Sequence, residues 1–178
     1  MHNPGGKSCP AWPADSAIAS FFSECRKYRY ELAEIWDEDK PLVLWILMNP
    51  SVACEDYSDP TLRKTGKFSR TWDYGGQLIG NLYAYRATDK NRLLEVDDPV
   101  GPDNDVAILR MVRQVKTIVL AYGQPPKNLK KRGQEVVELL KHYPGLSFLQ
   151  MAKDGKTPCH PLYLPGSLVP KPFRDIGK

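Results

Sequence analysis

Leu42-Val43-Leu44-Trp45-Ile46-Leu47-Met48 is an unbroken apolar run that stops at Asn49-Pro50-Ser51. A continuous run of this length, rich in branched and aromatic side chains, suits a strand covered on both faces. That requirement narrows the fold more than any other segment does. A strand buried on both sides sits in the middle of a sheet, with helices packed above and below it. The run also ends abruptly, since proline cannot continue a central ladder. The first polar side chain after it, Asn49, therefore stands at a strand end.

The rest of the chain supplies partners for that strand. Tyr28, Tyr30, Leu32 and Trp36 lie at the spacing of a half-buried strand. Further strands are expected over 77–85, 117–122 and 146–151. Helices are expected over 15–26, over about 61–72, from Asp103 onward, and from a cap at Asn128. This order implies an α/β fold, three-layer α/β/α, with a mostly parallel central sheet. Residues 1–14 are expected to form a loose arm, and 15–178 a single domain. No internal repeat is visible.

Parallel sheets bind ligands beyond the carboxyl ends of their strands. Asn49, the 81–86 segment, Tyr122-Gly123 and His160 all fall at or near such ends. The long polar loop after Met48 strengthens the case, because long loops behind a central strand usually carry function. Asn49 and His160, the latter in Thr157-Pro158-Cys159-His160-Pro161, are thus expected to face one pocket.

Charge is unevenly distributed. Residues 1–124 carry 15 basic and 17 acidic side chains, and residues 125–178 carry 10 and 4, so the balance moves from −2 to +6. A basic C-terminal third can attract phosphate, or can simply be a solvated surface. Cys9, Cys25, Cys54 and Cys159 form no C-x-x-C pair, so no metal or cofactor is expected. Cys159, beside His160, is a weaker candidate nucleophile without an obvious partner. No apolar run approaches the roughly 18 residues of a membrane span, and no signal pattern opens the chain. A cytoplasmic protein acting as a monomer is expected.

Several motifs carry a family resemblance: Met48-Asn49-Pro50-Ser51, Ser58-Asp59-Pro60-Thr61, Tyr74-Gly75-Gly76, Arg86-Ala87-Thr88-Asp89, Asp98-Pro99-Val100-Gly101-Pro102-Asp103, and His160-Pro161-Leu162-Tyr163-Leu164-Pro165. Together they resemble a bacterial and phage family of unknown function over roughly residues 40–173. More remotely, the arrangement resembles the uracil-DNA glycosylase superfamily. Its members carry a first motif where an apolar strand ends in Asp-Pro or Asn-Pro. Their second motif, His-Pro-Ser or similar, follows the last strand. Ser51 and Leu162 depart from the usual residues at these motifs, and the cysteines of the iron–sulfur branch are missing.

The resemblance implies a DNA glycosylase that hydrolyses the N-glycosidic bond of a flipped pyrimidine in DNA. His160 would donate a hydrogen bond to the departing base, and Asn49 would hold the water. An amide cannot serve as a general base. Asn81 would read the base edge, and Asp59 is the nearest candidate carboxylate. Phe68, Trp72 and Tyr74 are candidate stacking partners. The small Ser51 side chain would admit a pyrimidine with a bulky 5-substituent, as in modified phage DNA. Plainer roles stay open at each position: Asn81 bonded to backbone, Asp59 as a helix cap, the aromatics in the core. A hydrolase of free nucleotides and a non-catalytic nucleic-acid binder are the alternatives.

Overall fold

The computed structural model describes residues 10–51 and 57–173. Among the described residues, seven strands and three α-helices follow one another along the chain: β1 (Ala17–Phe22), β2 (Arg29–Ile35), β3 (Leu42–Leu47), α1 (Pro60–Thr71), β4 (Gly76–Asn81), α2 (Asn104–Val112), β5 (Thr117–Leu120), α3 (Lys131–Leu140), β6 (Leu146–Phe148) and β7 (Lys171–Pro172). All seven strands join one sheet in the order β1-β2-β4-β3-β5-β6-β7.

The apolar run behaves as its composition requires. Val43, Trp45 and Leu47 pack with Leu62 and Phe68 of α1. The intervening Leu44, Ile46 and Met48 pack with Ile108, Met111 and Val112 of α2 and with Val136 and Leu140 of α3. Every residue from Val43 to Met48 is buried. This alternation is the two-residue period of a strand, with each face meeting a separate apolar cluster.

The mostly parallel sheet expected from the sequence is corrected to a mixed one. Pairings β4/β3, β3/β5 and β5/β6 are parallel, whereas β1/β2, β2/β4 and β6/β7 are antiparallel. The reason is connection length. A parallel crossover needs a dozen or more residues. The link from Ile35 to Leu42 is much shorter, so β2 must run opposite to β3, and therefore opposite to β4 beside it.

The helix expected over 15–26 is a second correction. Its middle forms β1, whose side chains alternate between exposed and half-buried as it pairs along β2. Partner strand and alternation together outweigh weak helix propensity. Asp15, expected near a helix cap, pairs instead with Arg70 of α1. Asn128 does not cap α3 either. It lies in a short 3-10 turn, and α3 starts at Lys131 with no side-chain cap. By contrast, Asp59 caps α1 and accepts a hydrogen bond from the Leu62 N–H at 2.9 Å. β4 stops at Asn81, earlier than the expected boundary.

Of the expected N-terminal arm, residues 10–14 are described. Trp12 packs against the α1-side cluster, and the Pro10 carbonyl accepts from the Ser58 N–H. Among the described residues, no helix is long and apolar enough to cross a membrane.

Candidate functional site

The chain passes from β3 to β4 on one side of β3, then returns to β5 on the other side. Such a reversal opens a crevice beyond the carboxyl ends of the parallel strands. A pocket of about 560 Å³ lies there. It is lined by the ends of β3, β4 and β5, the first turn of α1, and the segments around Lys90 and His160.

Asn49, Ser51, Asp59, Asn81 and His160 all line this pocket. Asn49 is fixed in orientation, because its Nδ2 donates to the Pro50 carbonyl at 3.0 Å and the Ala87 carbonyl at 2.7 Å. Both amide hydrogens are thereby engaged. Oδ1 is the atom this side chain offers to a bound molecule, as an acceptor.

Asn81 is the converse case. It is 1% exposed, and neither its Nδ2 nor its Oδ1 has a partner among the described residues. The backbone behind it is held firmly: Asn104 Nδ2 donates to the Asn81 and Leu82 carbonyls, and Arg132 Nε donates to the Leu82 carbonyl. Burying an amide without partners costs on the order of 1–3 kcal/mol. A ligand edge presenting both a donor and an acceptor removes that cost.

His160 follows β6 and opens a short 3-10 turn over Pro161–Tyr163. Its Nδ1 accepts from the Leu162 N–H at 3.4 Å, which leaves Nε2 as the protonated nitrogen of the neutral ring. Burial pushes the imidazole below its ordinary range, and the nearby Lys90 ammonium pushes the same way, against the opposing pull of Asp59. The ring is therefore a neutral donor at neutral pH. Gly123 holds it close. With φ of +68°, Gly123 has the backbone form that favours glycine, and a Cβ there would lie 2.9 Å from His160 Cβ. The Gly123 N–H also donates to the Pro158 carbonyl.

The expected stacking aromatics are a correction. Phe68 is 1% exposed and packs with Trp45 and Trp72, ring centroids 5.3–6.0 Å apart. Trp72 Nε1 donates to the Leu168 carbonyl. The Tyr74 hydroxyl donates to Thr117 Oγ1, at the opposite end of β5 from the pocket. Phe68 and Trp72 stand four residues apart, so they share one helical face, and that face is the one turned to the sheet.

Other lining residues escaped the sequence reading. Arg29 is 2% exposed on β2. Lys90 reaches across to the Gln124 carbonyl at 2.9 Å. Tyr163, 86% exposed, stands at the mouth beside Leu162. Arg29 reads as the polar half of an alternating strand, and Lys90 as one more charge in a polar loop. Tyr163 alone carried a signal, as an aromatic next to the His-Pro motif.

Cys159 is no activated nucleophile: burial pushes its thiol up, with Asp154 adding to the shift. Cys9 and Cys54 lie outside the described residues. Among the described residues, no group of three or more His, Cys, Asp or Glu could hold a metal ion.

Fold and site thus define a mixed α/β protein with a polar pocket at the carboxyl ends of its parallel strands. The family described as a protein of unknown function, DUF1643, matches residues 29–162, and the chain belongs to that family. No curated protein and no solved structure matches it.

Proposed function

We propose that the protein is a DNA glycosylase that hydrolyses the N-glycosidic bond of a flipped pyrimidine, including bases with a bulky 5-substituent. The observation that carries this reading is Asn81. It is a buried amide whose two hydrogen-bonding atoms are unmatched among the described residues, in the pocket that also holds His160 and Asn49. The edge of a pyrimidine base presents the donor and acceptor that such an amide lacks.

The remaining groups support the same chemistry. The bond from the sugar carbon to the base nitrogen breaks, and its electron pair leaves with the base. The neutral His160 offers Nε2–H to the base oxygen where that charge gathers, an interaction typically worth about 3–4 kcal/mol of barrier. Asn49 Oδ1 accepts a hydrogen from a water and turns the water oxygen toward the sugar carbon. Asn49 takes no proton; as the oxygen bonds to the sugar carbon the water gives one proton up to solvent, and the departed base anion takes one up from solvent. Asp59, with Oδ1 engaged as the α1 cap, adds negative charge beside the developing sugar cation. The ring of Tyr163 is the exposed aromatic at the mouth, able to stack on a base left behind in the strand.

Packing of α1 on one set of β3 side chains, and of α2 and α3 on the other, supports the three-layer, uracil-DNA glycosylase-like arrangement. So does the position of the two motifs, one after the first parallel strand and one after the last. The pocket volume, about 560 Å³, lies in the range for a whole small ligand. It suits a substituted base, and it also favours the alternative of a hydrolase acting on free nucleotides.

The test is base release. Duplexes containing uracil, a thymine mismatch or 5-substituted cytosines are incubated with the protein, and abasic sites are revealed by alkaline cleavage. Release from a 5-substituted substrate, lost in His160→Ala and in Asn49→Ala, is expected. Excision confined to uracil overturns the 5-substituent assignment. Release from free nucleotides only would favour the alternative.

A further inference from the structure

We infer that one lip of the pocket, built from the loops after β4, β5 and β6, is the track on which the sugar–phosphate backbone of the DNA lies. This rests on reading the pocket as a site for a base carried in DNA.

The three loops are tied together by a chain of hydrogen bonds. Lys90, after β4, donates to the Gln124 carbonyl at 2.9 Å. Gln124, after β5, donates from Nε2 to Asp154 Oδ2 at 3.1 Å. Asp154, after β6, also accepts from the Lys156 and Thr157 N–H groups and from Thr157 Oγ1, at 2.7–2.9 Å. Lys90 and Gln124 line the pocket. The lip is thus a braced structure at the mouth.

What its loops after β5 and β6 present to solvent is basic. Lys127, Lys130, Lys153 and Lys156 are exposed, and none forms an ion pair among the described residues. Some surface cations elsewhere are paired, as with Arg110 to Glu31 and Lys40 to Asp73, and others, such as Arg113 and Lys116, form no ion pair among the described residues; the lysines of the lip are set apart by their place beside the pocket. The two acids nearest this chain of hydrogen bonds are turned to their own loops. Asp89 accepts from the Asn91 N–H, and Asp154 is surrounded by four donors. Unpaired lysines on a rigid support, beside a pocket sized for a nucleotide, match a run of phosphates. Each phosphate that a lysine neutralises releases condensed counterions, so such a track makes binding steeply salt-dependent.

The experiment measures binding of a short fluorescein-labelled DNA duplex, unmodified in sequence, to the whole chain between about 50 and 200 mM salt. Lys153→Gln/Lys156→Gln is compared with Arg113→Gln/Lys116→Gln, a pair of exposed cations before β5, at the other end of that strand. The lip variant is expected to lower the slope of log affinity against log salt by about 2, near 0.9 for each phosphate no longer neutralised. The control pair is expected to leave the slope unchanged. A steep wild-type slope that both variants reproduce overturns the track while leaving the pocket reading intact. A wild-type protein that hydrolyses free nucleotides and shows no salt-dependent DNA binding overturns both.

Discussion

Gln77 and Asn81 sit four residues apart on β4, at its two ends, on the face turned to α1. Both are buried amides, at 0% and 1% exposure. Gln77 Nε2 donates to Glu34 Oε2 at 2.6 Å and to the Leu62 carbonyl at 3.1 Å, joining β4 to β2 and α1. Only its Oε1 is unpaired, whereas Asn81 has no partner at either atom among the described residues. The same chemical group therefore serves the fold at the amino end of the strand and faces a pocket at the carboxyl end. A buried amide that lines a pocket and is unmatched at both atoms among the described residues points to a ligand. One that is matched points to structure.

That contrast can be broken in four ways. The largest expected effect is on His160, at the carboxyl end. His160→Ala should slow base release by about 100- to 1,000-fold with little change in melting temperature. A comparable loss of stability would mean that the imidazole is structural. Next is Gln77→Leu, expected to destabilise the fold by about 1–3 kcal/mol in urea unfolding, because Glu34 loses a buried donor. Asn81→Leu should leave stability unchanged or raise it slightly, since no hydrogen bond to the described residues is removed, while base release falls at least about tenfold. If both leucine variants destabilise equally, the two amides are equivalent and the comparison fails.

The smallest expected effect is on pH dependence, where the two ends carry opposite signs. Burial raises the Glu34 carboxyl, against the hydrogen bonds from Gln77 and Ser16. The folded state then holds its proton to higher pH than the unfolded chain does. Stability from this group is full below the unfolded value of about 4.3, and falls as pH rises through the folded one. His160 is lowered, so its effect is present above about 6.5 and is lost as pH falls. Stability against pH should lose its decline between about 4.3 and the raised Glu34 transition in Glu34→Gln, and its decline below about 6.5 in His160→Gln. Profiles that match wild type in both variants would show that neither group is linked to folding.

Much of this was readable in the chain. The Leu42–Met48 run announced a strand buried on both faces, and Val43 to Met48 are buried on alternating sides. Asp59-Pro60-Thr61 announced a helix start, and Asp59 caps α1. Asn49, Asn81 and His160 each stood beside a strand end, and they meet in one pocket. The errors share a cause. Strand direction at β2 depended on a connection too short for a crossover. The 15–26 segment lacked a strong period, so its state was set by pairing with β2. Phe68, Trp72 and Tyr74 looked available because an aromatic's spacing gives its helical face and not what that face meets.

By itself, then, the sequence determined the central strand, the punctuation that ends it, and the residue types standing at the strand ends, because burial period and proline chemistry act locally. Only the tertiary structure decided that β2 runs backward, that the aromatics are core, and that Lys90 reaches the Gln124 carbonyl. It alone also decided that Asn81 is left without a partner among the described residues. Whether a buried amide is satisfied depends on atoms brought to it from distant segments, and spacing along the chain does not encode that.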